Sequence, residues 1–297
     1  MSSQPDPHSV IDWFSQSARD LPWRRTTAWG VLVSEFMLQQ TPVSRVLPVW
    51  EAWMATWPSP KELATATPAE AIRMWGNLGY PRRAVRLHAT SVVLTRSHRN
   101  QVPSNYSELV ALPGVGDYTA NAILAFAFDQ PTVVLDINVR RVLARAWQGL
   151  AHPSNSVSAV ERRFAQSLVD DHLDKAQAPQ WAAASMELGA LICTSSNPRC
   201  EECPIQDSCM WNSLGKPDNS PRPKIQAKYE GSDRQERGRI LKMLRHSDSP
   251  IPTAKIKAQA PNSDQCERAL NSLIKEGLVI HLSRGKVSLP ELHGINS

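Results

Sequence analysis

The sequence predicts a mainly α protein with a small winged-helix-like domain at its C-terminal end, and three observations predict it. Apolar residues recur at helical spacing through the first two thirds of the chain. No alternating strand pattern appears before residue 278. Four of the five cysteines crowd into "LICTSSNPRCEECPIQDSC", Leu191 to Cys209, at the end of the helical region. A chain of 297 residues can bury a full core without covalent staples, so these thiols are expected to serve something other than bulk stability.

In chain order, the spacing predicts helices over 7–19, 29–40, 43–57, 68–76, 83–97, 105–112, 117–129, 137–148, 157–171 and 179–193. Proline separates them at Pro22, Pro42, Pro58, Pro81, Pro103, Pro113 and Pro131, and no period of 20 to 50 residues repeats. "GKPDNSPRPKIQAKYEG", residues 215–231, is polar, rich in Pro and Lys and without periodicity, which makes it the expected linker between a body of 1–214 and a domain of 232–297. Beyond it, "DRQERGRILKMLRH", "PTAKIKAQA" and "SDQCERALNSLIKEG" read as three helices, the last stopping at Gly277. "LVIHLSRGKVSL" reads as a hairpin turning at Arg284-Gly285, and three helices with a two-stranded wing describe a winged helix.

The pI near 9.0 and net charge of +5 suit a polyanionic partner. The excess lies in the tail: residues 1–215 hold 18 Lys+Arg against 19 Asp+Glu, and residues 216–297 hold 15 against 9. "MSSQPDPHSVIDWF" has no basic segment followed by an apolar one, and no stretch approaches the apolar length of a membrane span. A cytoplasmic, nucleoid-associated protein with no membrane partner is the expectation, and a reducing compartment argues against disulfides.

Cys193, Cys200, Cys203 and Cys209 follow C-x6-C-x2-C-x5-C, with only one short pair. Structural zinc usually takes two short-spaced pairs, whereas four thiolates alone suit an iron–sulfur cluster, so a 4Fe-4S cluster is expected ahead of zinc or unligated thiols. Cys266, alone in a basic amphipathic stretch, reads as an ordinary partly buried thiol. The cysteine arrangement resembles the cluster loop of the helix-hairpin-helix DNA glycosylases, the superfamily of endonuclease III and the MutY-type adenine glycosylases.

Further motifs bear on that resemblance. "LVALPGVGDYTANAILAFAF" runs from a helix end through Pro113-Gly114-Val115-Gly116 into a new helix. Two glycines allow a tight turn and close backbone approach, and the free N–H groups of the new helix can hold a phosphate; a plain helix–helix turn is the alternative. Asp117 would add local repulsion, so the grip would come from backbone amides. The form is similar to the superfamily's DNA-anchoring hairpin, which implies DNA contacts at Leu112, Gly114, Val115 and Gly116.

Glu35 sits in "WGVLVSEFMLQQTPVSRVLPVW" among neighbours apolar almost all round, where a carboxylic acid should keep its proton to higher pH and can act as a general acid. The segment resembles the MutY-type pattern, and the resemblance implies that Glu35 protonates N7 of a flipped adenine. Asp136, in "VLDINVRRVLARAW", could merely cap the helix that follows. Similarity to the family gives it another role: stabilising the positive charge that grows on the deoxyribose, by charge or through a transient covalent adduct, with Asn138 positioning Asp136 or the sugar. Paired carboxylates of unlike environment suit glycoside cleavage.

A lyase step needs an amine, and the superfamily's lyases carry lysine where this chain has Tyr118. No lysine stands between Lys61 and Lys175, so base removal without strand cleavage is expected, with Tyr118 a pocket partner. The resemblance also assigns Gln39, Gln40 and Thr41 of "LQQT" and Tyr80 of "NLGYPRR" to DNA contact and base extrusion, and Trp23 and Arg24 of "LPWRR" to the base pocket. Departures occur at Pro81, where the family often has a second aromatic, and at Ala183, where better-known members carry Gln or Glu.

The resemblance covers residues 8 to about 215 and implies a six-helix module at about 29–134 with a cluster lobe from 1–28 and 135–214. Well-known members continue into a Nudix-like domain, and the winged helix stands in its place, for DNA backbone binding or for packing. The expected activity is hydrolysis of adenine mispaired with 8-oxoguanine or guanine in double-stranded DNA, by a monomer. The alternatives are a pyrimidine or mismatch glycosylase of endonuclease III type and a non-enzymatic iron–sulfur DNA-binding regulator.

Overall fold

A computed structural model describes residues 4–220 and 228–291. The helices through the first half are α1 (Pro7–Ser17), α2 (Ala28–Leu38), α3 (Val43–Thr56), α4 (Pro60–Thr65), α5 (Pro68–Trp75), α6 (Arg82–Ser97), α7 (Tyr106–Val110) and α8 (Asp117–Phe128). There follow α9 (Ile137–Gln148), α10 (Ala159–His172), α11 (Gln177–Leu191), α12 (Met210–Ser213) and α13 (Asp233–Arg245). The chain then runs through β1 (Ile251–Pro252), α14 (Thr253–Ala258), α15 (Ser263–Lys275), β2 (Ile280–Leu282) and β3 (Lys286–Ser288). It forms two compact units, the first from Met1–Val31, Ser104–Val110 and Val115–Ile225, the second from Leu32–Pro103, Ala111–Gly114 and Gln226–Ser297.

In the first unit α11 packs against α1, α8 and α9, around a core that includes Val10, Val142, Leu143, Leu168, Trp181 and Leu188. Trp147 meets Trp181 edge to face, ring centres 5.9 Å apart, a preferred aromatic geometry. A side chain at Gly189 would place its Cβ 2.7 Å from Asn138, so glycine lets α11 lie this close to α9. α9 starts where Asp136 accepts the Val139 N–H at 2.7 Å and stops at Gly149, whose φ of 67° ends the helix in the left-handed region. The near end of the expected linker is tied back: Trp211 Nε1 donates to the Pro217 carbonyl at 2.9 Å, and Ser220 Oγ accepts from the His152 N–H at 2.7 Å. The part of that linker at 221–227 lies outside the described residues.

In the second unit α6 packs on α4 and α5, and Trp53 meets Trp57 and Trp75 edge to face at 4.7 and 5.8 Å. The C-terminal part is a winged helix. α15 packs on α13 and α14, and the sheet has the order β1-β3-β2, with Val287 paired to both Ile251 and His281. Cys266 is fully buried with Ile240, Leu270, Leu273 and Val287. Arg284 and Gly285 turn the hairpin at φ 60° and 64°.

Three elements were not expected. α4 and α12 have six and four residues, too few to display a helical period. β1 is Ile251-Pro252, and a two-residue strand containing proline has no alternation to read. α2 stops at Leu38 rather than at residue 40, because Gln40 takes φ 54°. Among the described residues no helix is long and apolar enough to cross a membrane.

Candidate functional site

Asp136 is held from several sides within the first unit. Beyond the Val139 N–H, its second oxygen accepts from Asn138 Nδ2 at 2.8 Å. Asn138 Oδ1 in turn accepts from Arg141 Nη2 at 2.8 Å, and the same guanidinium donates to the Gly189 carbonyl at 2.7 Å and, through Nε, to the Cys193 carbonyl at 2.7 Å. Burial pushes the Asp136 carboxyl above the usual carboxylate range, while the Val139 and Asn138 donors and the Arg141 charge pull against it. The side chain is thus a cap and also a desolvated, oriented acid, fastened through two residues to the cysteine loop.

That loop gathers Cys193, Cys200, Cys203 and Cys209, with Arg145, Ile192 and Trp211, around one pocket. Among the described residues no group of three or more His, Cys, Asp or Glu could hold a single metal ion. Four thiols lining one pocket suit an iron–sulfur cluster instead. Burial pushes the Cys203 thiol up to about 12 and raises Cys209 as well; bound iron supplies the positive charge that makes thiolates favourable there. Arg145, stacked over Trp211 at 4.4 Å, donates to the Thr194 carbonyl at 2.7 Å and reaches the Cys193 sulfur at 3.5 Å. Arg199, between the cysteines, pairs with Glu202 at 2.8 Å and donates to the Leu191 carbonyl at 2.8 Å.

In the hairpin, Leu112 and Val115 are buried, 2% and 6% exposed, so the turn at Pro113–Gly116 offers backbone rather than side chains. Gly114 takes φ 84°, and a Cβ there would meet Arg86 at 2.9 Å. Gly116 precedes α8 without a side-chain cap. The negative charge of Asp117 is countered by Arg162 at 2.8 Å and by the Tyr106 hydroxyl at 2.8 Å. Tyr118 packs, partly buried, against Ala122, Ala125, Val134 and Ala182.

Glu35 is only 5% exposed, on α2 with Leu32, Val33, Phe36 and Met37 all buried. Gln39 is half-buried and Gln40 exposed, whereas Thr41 is 6% exposed, its hydroxyl accepting from Arg83 at 2.9 Å. Tyr80 is 44% exposed, with φ 46°. Trp23, 8% exposed, and Arg24 lie on a short turn at Pro22–Arg24, where Arg24 pairs with Glu187 at 3.1 Å and lies 4.8 Å over Phe14.

Residues 33–168 match the family described as HhH-GPD superfamily base excision DNA repair protein, and residues 193–209 match the iron–sulfur binding domain of endonuclease III. The chain carries a 4Fe-4S cluster, and Cys193, Cys200, Cys203 and Cys209 lie within that match. The chain is 44% identical over 292 residues to the adenine DNA glycosylase of Mycobacterium tuberculosis (strain CDC 1551 / Oshkosh), covering 95% of this chain and 92% of that one. The chain belongs to the adenine DNA glycosylase family. Its identity to the adenine DNA glycosylase of Homo sapiens is 40% over 212 residues, 68% of this chain and 38% of that one. The fold is shared with a thermostable thymine-DNA glycosylase (TM-score 0.63, 23% identity, 70% of this chain and 95% of that one). It is also shared with an endonuclease III solved in a non-covalent DNA complex (TM-score 0.60, 19% identity, 70% and 94%).

In this adenine DNA glycosylase family member, sequence reasoning passed over three residues that organise the candidate site. Arg83 is 6% exposed and donates to the carbonyls of Phe36, Met37 and Gln39 at 2.8, 3.0 and 2.6 Å and of Gly79 at 3.1 Å, binding the Gln40 and Tyr80 loops together. Burial pushes its guanidinium down to about 10, a sign of how dry the position is. Arg141 and Gly189 are the others. Gly189→Ala should force α11 off α9 at Asn138, at about 1–3 kcal/mol of overpacking, and lower both melting temperature and base release. An unchanged melting curve with unchanged activity would refute that packing argument.

Proposed function

We propose that the chain hydrolyses the N-glycosidic bond of adenine mispaired with 8-oxoguanine or guanine in duplex DNA, without cutting the strand. The observation that carries this reading is the burial of Glu35, 5% exposed on an apolar helix. A carboxyl in such a place can keep a proton and hand it to N7 of the purine, so that the base leaves neutral. Asp136, ionised, stabilises the positive charge developing on the deoxyribose, and Asn138 and Arg141 fix its direction. Water then completes hydrolysis. With Tyr118 at the start of α8 and no lysine between Lys61 and Lys175, no Schiff base forms there.

Reaching the base requires extruding it from the duplex, at a cost of a few kcal/mol. The backbone amides of Gly114, Val115 and Gly116 anchor a phosphate, while Gln40 and Tyr80 fill or separate the stack. Trp23 and Arg24 line the base pocket, and one monomer acts on one lesion. The test is base release from A:8-oxoG, A:G, A:C and T:G duplexes, followed by borohydride trapping. Release from the first two, with no trapped adduct, supports the reading; release of thymine, or an adduct with the parent protein, overturns it.

A further inference from the structure

The segment from Gly76 to Tyr80 is tethered along its whole length and ends on a strained residue, Tyr80. Gly76, Gly79 and Tyr80 take φ of 54°, 84° and 46°. Each of the five carbonyls accepts a side-chain hydrogen bond: Gly76 from Arg245, Asn77 from Arg45, Leu78 from Thr41, Gly79 from Trp75 and Arg83, and Tyr80 from Arg83. A non-glycine residue at positive φ persists only where its surroundings over-determine it, and these donors do so. One of them, Arg245, comes from the winged helix. Its other guanidinium nitrogen donates to Asn77 Oδ1 at 2.8 Å. Gly76 ends α5, so Arg245 places a cation against the carbonyl end of that helix. Burial pushes the Arg245 guanidinium down, as expected for a group taken out of water.

The winged helix also grips the other flank of the segment. Glu276, held bidentately by Arg237 at 2.7 and 2.8 Å, lies 3.9 Å from Arg82, the first residue of α6 after Pro81. On the near side, Arg73 reaches the Ser247 carbonyl at 3.5 Å. The tether thus closes on both sides of Tyr80, whose ring remains 44% exposed.

We propose that the C-terminal winged helix is a brace for the Tyr80 segment, and that Arg245 is a positioning residue that presents Tyr80 to the DNA stack. This rests on Tyr80 acting as a wedge in the reading above. Arg245 touches neither base nor sugar; it acts through the segment it holds.

The experiment uses the full chain with its cluster and an A:8-oxoG duplex carrying 2-aminopurine beside the lesion. Single-turnover release and the fluorescence rise on binding are measured for Arg245→Ala, Arg245→Lys, Tyr80→Ala and the Arg245→Ala/Tyr80→Ala double variant. Arg245→Ala should lose the fluorescence rise and slow release about 10- to 100-fold, the scale of a misplaced binding group, and Arg245→Lys should recover part of both. The double variant should match Tyr80→Ala within about twofold, because both changes break one linkage. Multiplying losses, or a parental Arg245→Ala, would overturn the brace while leaving the wedge intact. A parental Tyr80→Ala would remove the wedge reading, and the brace with it. If Arg245→Ala melts early or loses its cluster colour, Asn77→Ala replaces it: a smaller loss in both readouts, masked by Tyr80→Ala, supports the brace, and parental behaviour overturns it.

Discussion

Glu35→Gln is expected to leave a folded, cluster-bearing protein that releases adenine about 10²- to 10⁴-fold more slowly, the range for a lost general acid. Glutamine has nearly the same shape, so the apolar surroundings of Glu35 should close around it without a cavity. What it lacks is a transferable proton. Binding of the mispaired duplex should therefore stay near the parental level while the chemical step collapses, since the change removes an interaction used only in the transition state. A variant with full release on A:8-oxoG and A:G duplexes would show that Glu35 is a buried structural acid and nothing more.

Asp136→Asn is expected to be nearly as severe, about 10²- to 10³-fold in rate, the cost of losing one pre-placed charge or donor at the reacting centre. Asparagine caps helices as well as aspartate does, so it should keep the acceptor for the Val139 N–H and with it the start of α9. The substitution thus separates the charge from the cap. The sign of the pH dependence follows from the same geometry. Asp136 must be ionised to stabilise a cation, and burial holds its carboxyl above the usual range, so activity should be present above that raised pKa and fall away as pH drops through it. Asn138→Ala removes a donor that favours the ionised form, so the acid limb of the pH–rate profile should move to higher pH. A limb that stays put, or moves lower, would contradict the network.

The order of helices is legible in the sequence because each long helix carries its own period and its own breaker. The cysteine loop is legible because its four ligands lie within one short stretch. Asp136 and Asn138 are neighbours at the start of one helix, so the acid and its partner can be seen together, whereas Arg141, one turn on, shows its part only through its bonds to Asn138, Gly189 and Cys193. Arg83 cannot be seen either: its acceptors at Phe36, Met37 and Gln39 lie 47, 46 and 44 positions away, and nothing in "PRRAVRL" marks Arg83 as buried and Arg82 and Arg86 as exposed. Arg245 is harder still, reaching 169 positions back to Gly76 from a helix that reads as basic and solvated. Arg83 bonds mainly to backbone carbonyls, and Arg245 to one carbonyl and one side-chain amide; carbonyl acceptors carry no signature in sequence. Gly189 belongs to the same class, since only the packing of α11 on α9 shows that a methyl group would not fit.

The central claim is that a proton delivered to N7 of the purine lets adenine leave. A duplex in which adenine is replaced by 7-deazaadenine opposite 8-oxoguanine tests it from the substrate side, with the protein unchanged. The account predicts that the duplex binds and the base stays attached through many parental turnover times; release at the parental rate would contradict it.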